Sequence, residues 1–398
     1  MNIQSLALSL LLSGATAQNL GSVTETYRVS QSYPEGITYD AANKRILLTS
    51  LVSNTIMAFD PANNMTLVTT YTPDSTNPSG MGLKVAADGQ VYSAIDNFAN
   101  QDNGGLAVYD LPATEDAEAA VTTVSVVNLP CTDGETKCGL ANDVIVDESG
   151  VAYVTDSAVG RLFKVENGEA ELISDDAILQ WTDESFPFAV NGLVHVADLG
   201  ILLVFNTQTQ ALLRVDLASN NVTEVTINGE INGGGDGLLL SSDGTLYAVT
   251  GGTHITAFTT EDDWVSATVA GTVDVSSENE SAATMTFGET EDEIYVTHVR
   301  FGDLFGGGVN EDPSLISKVV LGESTEETET DATEAPADTS TDSAATSDEC
   351  AMTVRMQEEG EDLTEWVVPD WTKEFDIRSI VVKVSNTLIC WLLTPLGL

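Results

Sequence analysis

Between residues 20 and 322 the apolar positions come in short runs that alternate with polar ones, and no helical period is sustained. The recurring phrase is a short apolar run, a turn such as Asp88-Gly89, Ser149-Gly150 or Asp243-Gly244, and an alternating run such as Val151–Thr155. That phrase predicts two strands of a hairpin. A third strand follows, as at Arg161–Val165 or Leu212–Val215. The phrase occurs six times, with units opening at Glu35, Met81, Asn142, Asn191, Asp236 and Ala283 or Thr284. The starts advance by roughly 45–60 residues, the period of a four-stranded propeller blade. The chain is therefore expected to be all-β, a six-bladed β-propeller with four-stranded antiparallel blades. An elongated β-solenoid fits less well because its rungs would be shorter, and a parallel α/β sheet is excluded by the missing helices. The strand-like Ser22–Ser30 precedes the first unit and is expected to close the ring as the outer strand of the last blade.

The flanks differ in pattern. Residues 1–17 carry an apolar run, Leu6–Leu12, and a small-residue site, Ala15-Thr16-Ala17, which together read as a signal peptide; the alternative is a buried first helix. The propeller is expected over 18–322. Residues 323–350 are acidic, rich in Thr and Ser and nearly free of apolar residues, as expected of a disordered linker. Residues 351–398 form a tail that is apolar only at its end. Its uncharged part, Val384–Leu398, contains Pro395 and is short for a membrane span. It resembles a lipid-anchor signal with a poor, charged spacer, so membrane attachment through it is set against an unstructured tail.

Charge narrows the partners. The 398 residues hold 14 Lys+Arg against 62 Asp+Glu, a formal net charge of −48, which repels phosphate backbones and anionic lipid. No nucleic-acid partner is expected, and cations are compatible partners. The same charge also suits a soluble monomer secreted into a salty medium. Cys131 and Cys138 lie in one polar loop inside the long second interval, and in an oxidising compartment they are expected to pair. The triplets at Asn64, Asn221 and Asn279 are glycosylation sequons, a pattern that also arises by chance.

In a propeller the first strand of every blade lines the central channel, so residues opening those strands converge on one mouth. Glu35, Asn142, Asn191 and Asp236 bring side-chain oxygens there. Asn191-Gly192 and Asp236-Gly237 are also ordinary turn formers, which is the competing explanation for two of the four. Two carboxylates in one mouth repel unless a cation lies between them. Hard oxygen donors without His or Cys favour Ca²⁺ over zinc or copper.

Over about residues 22–321 the chain resembles the senescence-marker-protein/gluconolactonase family, which is regucalcin-like, and more widely the six-bladed calcium enzymes that include paraoxonases and squid-type phosphotriesterases. The matching residues are the Glu of "PEG", the Asn of "ANDVIVD", the Asn of "VNGLVH" and the Asp of "GGDGLLL". The resemblance implies calcium-dependent hydrolysis of a small-molecule lactone or ester. It implies that Glu35, Asn191 and Asp236 hold the metal, and that Asn142 is a further ligand or a substrate contact. Asp143 matches the second member of the family's Asn-Asp pair and is a substrate-contact candidate. Asp236 is implied as the catalytic base, with Asn142 beside it. His254 and His298 are expected in turns after second strands, on the mouth side, where either one is a proton-shuttle and substrate-contact candidate or an ordinary loop histidine. His195 is expected to fill the channel. The glycine-rich "FGDLFGGGVNEDP" is read as a lid or a flexible loop. A calcium-stabilised extracellular binding module without catalysis is the second functional expectation, since propellers also serve as platforms.

Overall fold

The computed structural model describes residues 18–29, 33–73, 79–97, 102–113, 121–131, 139–183, 186, 188–305, 313–322, 353–356 and 364–367. The chain divides into two compact units, Met1–Thr325 and Glu326–Leu398. In the second unit the described residues form one hairpin, Thr353–Met356 paired with Thr364–Val367. The expected signal peptide, acidic linker and apolar chain end lie outside the described residues. Among the described residues no helix is long and apolar enough to cross a membrane.

The first unit is the expected six-bladed propeller. The innermost strands are Ile37–Asp40, Ser79–Val85, Ala141–Val146, Val190–Val196, Gly235–Leu240 and Ser281–Phe287. Each leads an antiparallel meander outward; in blade 3 the next strands are Ala152–Asp156, Arg161–Glu166 and Glu169–Ser174. In blades 2, 3 and 5 the turn between first and second strands is set by glycine. Gly89, Gly150 and Gly244 have φ of +86°, +87° and +87°, a left-handed conformation that other residues enter at a cost. Gly21–Val29 pairs antiparallel with Ser314–Leu321, with Tyr27 opposite Ile316, and so closes the last blade as the sequence predicts. The fifth blade has an addition not visible in the pattern. Thr226–Asn228 and Gln18–Asn19 both pair in parallel with its outer strand, Ser266–Asp274. They cover part of an edge that would otherwise offer unpaired backbone groups.

Strand side chains pack between neighbouring blades, so the core is a ring of interfaces. Between blades 4 and 5, Leu203, Phe205, Leu212, Leu246, Ala248, Phe258 and Trp264 are all buried. Each large apolar side chain withdrawn from water contributes about 1.5–3 kcal/mol. Two carboxylates buried in this framework carry their own cations. Asp156 Oδ2 accepts from Arg161 Nε at 2.9 Å and Nη2 at 2.7 Å, while its Oδ1 accepts from the backbone N–H of Leu140 and Ala158. Asp40 Oδ2 accepts from Arg45 Nε at 2.8 Å, and Arg45 Nη1 donates to the Tyr71 hydroxyl and the Pro112 carbonyl.

Candidate functional site at the channel mouth

On five of the six innermost strands the ladder slips by one residue at the same place. Gly80 pairs with Ile95 but Leu83 with Ser93. The same slip separates Ala141 from Val144, Val190 from Leu193, Gly235 from Leu238 and Ala282 from Met285. Two residues therefore stand opposite one, the definition of a β-bulge, which re-aims the bulged side chains. The bulged pairs are Met81-Gly82, Asn142-Asp143, Asn191-Gly192, Asp236-Gly237 and Ala283-Thr284. In blade 1 the equivalent pair, Glu35-Gly36, stands just before the strand, and Gly36 O accepts from Thr49 N at 3.0 Å.

This geometry decides between the two explanations of the Asn-Gly and Asp-Gly pairs. Gly36, Gly82, Gly192 and Gly237 are absent from the left-handed region, so they form no such turn. They are glycine because the next blade is too close. A Cβ on Gly36 would overlap the Met81 carbonyl, one on Gly192 the Asp236 carbonyl, and one on Gly237 the Thr284 hydroxyl. Blade 3 places Asp143 where four other blades place glycine. Hydroxyls clamp the ring: Thr49 Oγ1 donates to Met81 O at 2.6 Å, and Thr297 Oγ1 donates to Glu35 O at 3.1 Å, joining the last blade to the first.

Glu35, Asn142 and Asn191 are buried, at 6%, 4% and 7% exposure. Asp236 keeps part of its surface open, yet its Oδ1, like Glu35 Oε2, is sealed from water and has no hydrogen-bond partner among the described residues. Burial pushes the Glu35 carboxyl well up, and the charges of Asp236 and Asp143 push it further. Asp236 is pushed up to about 8 by burial and then by Asp143, against a side-chain hydrogen bond with Asn191. Asp143 is pushed up to about 6 by burial, opposed by the N–H groups of Val144 and Leu193 and by the charge of Lys84. Its Oδ1 accepts from Val144 N at 2.8 Å and its Oδ2 from Leu193 N at 3.3 Å, so it straps blade 3 to blade 4. Three carboxylates thus crowd one mouth, two of them with an oxygen that nothing bonds. Among the described residues no three His, Cys, Asp or Glu side chains gather as a metal cluster. The donor set here is of another kind, two carboxylates and two amides, with Asp143 committed to backbone. Unbonded, buried carboxylate oxygens fit a hard divalent cation.

Inward of the mouth the channel continues as a cavity of about 170 Å³ whose polar lining is Thr38, Lys84, Asp143, His195, Thr284 and Thr286. His195 is thus in the channel as expected, its ring 5.7 Å from that of Tyr153. His254 opens the third strand of blade 5, directly after the expected turn, and its Nδ1 bonds Thr253 Oγ1 at 2.8 Å. His298 is not in a turn. It lies within the second strand of blade 6, Glu293–Val299, because the ladder continues two residues past Val296 to pair Ala282 with His298. It is fully buried, its Nε2 bonds Ser317 Oγ at 2.9 Å, and burial together with Arg28 pushes it down to about 4. A histidine without exposed surface has no route for exchanging protons with substrate or water, so its shuttle role is withdrawn. The segment expected as a lid contributes a short helix, Phe301–Phe305, and residues 306–312 lie outside the described set. The three sequon asparagines, Asn64, Asn221 and Asn279, are exposed. Cys131 is disulfide-bonded, while Cys138 lies outside the described residues. Lys84 escaped the sequence reading, although a lone cation in "MGLKV" is itself a signal.

The family model described as SMP-30/Gluconolactonase/LRE-like region matches residues 33–300, from just before Glu35 to the end of the second strand of blade 6. No curated protein matches the chain. Among solved structures it is similar to the major allergen Mala s 1 of Malassezia sympodialis, at 17% identity and TM-score 0.58, over 74% of this chain and 95% of that one. It is similar to a gluconolactonase from Xanthomonas campestris at 14% identity and TM-score 0.50, over 77% of this chain and 97% of that one. The calcium-binding protein regucalcin from Agrobacterium tumefaciens aligns at 16% identity and TM-score 0.50, again over 77% and 97%. At such identities the likeness is one of fold.

Proposed function

The chain belongs to the SMP-30/gluconolactonase/LRE-like family, and from that premise we propose that it is a secreted hydrolase of lactones or esters that works with Ca²⁺ at the propeller mouth. The observation that carries this reading is the pair of buried, unbonded oxygens, Glu35 Oε2 and Asp236 Oδ1, at bulge-ring positions shared with Asn142 and Asn191. Glu35, Asn191 and Asp236 are the metal-holding residues, with Asn142 completing the set. A bound divalent cation supplies a Lewis acid for a carbonyl oxygen and acidifies a water. Asn142 orients the scissile carbonyl through its amide. Asp236, part of whose surface stays open, takes the proton of the attacking water. Asp143, with both oxygens on backbone N–H groups, fixes the bulge that carries Asn142, in place of the substrate contact expected for it. His254, at the start of the third strand of blade 5, is the remaining substrate-contact candidate. Secretion is supported by the exposed sequons and by the disulfide at Cys131.

A panel of sugar lactones, acyl lactones and aryl esters, assayed with and without chelator, tests the reading. Calcium-dependent turnover that vanishes in Asp236→Ala is expected. Asn142→Ala should lower turnover about a hundredfold while calorimetry shows a smaller loss of calcium affinity. No turnover on any substrate, with calcium raising only the melting temperature, would instead make the protein a calcium-stabilised binding module.

A further inference from the structure

The channel beneath the mouth contains a charge that the family reading leaves without a role. Lys84 stands three residues after the bulge residue of its blade. At the same step the other blades carry Thr38, Ile145, Val194, Leu239 and Thr286, all neutral. Among the described residues lining the cavity, Lys84 is the one Lys or Arg, and it shares that lining with Asp143. Burial pushes its amine down and the charge of Asp143 pulls it back up, so the two groups act on each other across the cavity. Asp143 in turn is one of the charges that act on Glu35 and Asp236. Its own oxygens are held by Val144 N and Leu193 N, which keeps its carboxylate fixed in the lining it shares with the lysine.

We propose that Lys84 is a resident counter-cation of the channel, offsetting Asp143 from below and thereby weakening the grip of the mouth on a divalent cation. The effect on the metal rests on the reading of the mouth given above. A positive charge lining the cavity beneath the mouth, beside Asp143, opposes an incoming divalent ion by Coulomb repulsion that solvent screens less than at an open surface. A mouth with three carboxylates and no such charge would bind calcium more tightly and exchange it more slowly. Lys84 is therefore a positioning residue for charge rather than a ligand.

Calorimetric titration of the whole chain with CaCl₂ tests the proposal. Lys84→Met keeps the stem and removes the charge, and it should bind calcium about tenfold tighter or more. Lys84→Arg keeps the charge and should titrate like the wild type; Lys84→Gln substitutes for the Met variant if that one fails to fold. Unchanged or weaker affinity in the neutral variants, or an Arg variant as tight as the Met variant, overturns the proposal. If the wild type shows no calcium binding, the metal reading fails, and the counter-cation role is judged without metal. In a denaturation cycle of Lys84→Met, Asp143→Asn and the double variant, non-additive losses sustain the pair and additive ones overturn it.

Discussion

Two groups of buried carboxylates occupy this propeller on opposite terms. Asp156 and Asp40 are sealed in the framework, and each meets an arginine that the chain itself supplies, with the remaining lone pairs held by amide N–H groups. Among the described residues, Glu35 and Asp236, at the mouth, meet no cation of their own, and each leaves an oxygen unbonded. A buried charge without a partner is costly, and it is relieved either by taking up a proton, as the raised Glu35 and Asp236 carboxyls show, or by a cation from outside. The contrast separates carboxylates whose partners the fold supplies from carboxylates that it leaves incompletely paired.

The largest expected effect breaks the framework side. Arg161→Ala strands Asp156 without its cation and should cost about 3–5 kcal/mol in urea denaturation; a loss below about 1 kcal/mol would mean that the two groups are not different in kind. His298 shows a third solution, a buried titratable group that stays neutral. Its folded value of about 4 lies below the ordinary histidine value. The unfolded chain therefore binds the proton first as pH falls, and the stability present above about pH 6.5 is lost as pH drops towards 4. His298→Gln should remove up to about 3 kcal/mol of that pH dependence, measured as the difference between denaturation curves at pH 7 and pH 4.5. A variant with the wild-type pH slope would contradict this. The smallest effect has the opposite sign from the first. Asp236→Asn relieves repulsion among the mouth carboxylates and should stabilise the calcium-free protein by about 1 kcal/mol, while abolishing the rise in melting temperature on adding calcium. A destabilised calcium-free variant would place Asp236 with the framework carboxylates.

Much of this was legible in the chain. Six repeats, the glycine turns at Gly89, Gly150 and Gly244 and the closing strand could be read because hairpin periodicity and left-handed turns are local properties. The four oxygen-bearing residues were legible because the repeat turns distance along the chain into equivalence around a ring. The bulge was not. Asn191-Gly192 and Asp236-Gly237 have the composition of a turn, and only the closeness of the next blade shows why each glycine is there. His298 was misplaced because the end of a strand is fixed by its partner across the ladder rather than by its own residue type. The backbone bonds that occupy Asp143 depend on Leu193, fifty residues on, and no local pattern announces them.

The strand that closes the ring also sets a timetable. Gly21–Val29 leaves the ribosome early, yet its partner Ser314–Leu321 is among the last parts of the propeller to be made, and Thr297 reaches the Glu35 carbonyl across 262 residues. Pairings so distant in sequence are closed late, since their loop entropy has to be overcome before any contact rewards it. Until then the nascent chain holds an unpaired strand at one end and an open sheet edge at the other, both able to pair with a neighbouring chain. The mouth cannot be assembled ahead of that last step. Glu35 stands on one side of the seam and Asp236 two blades back on the other, so a newly made chain acquires the complete mouth and its circular closure in the same event.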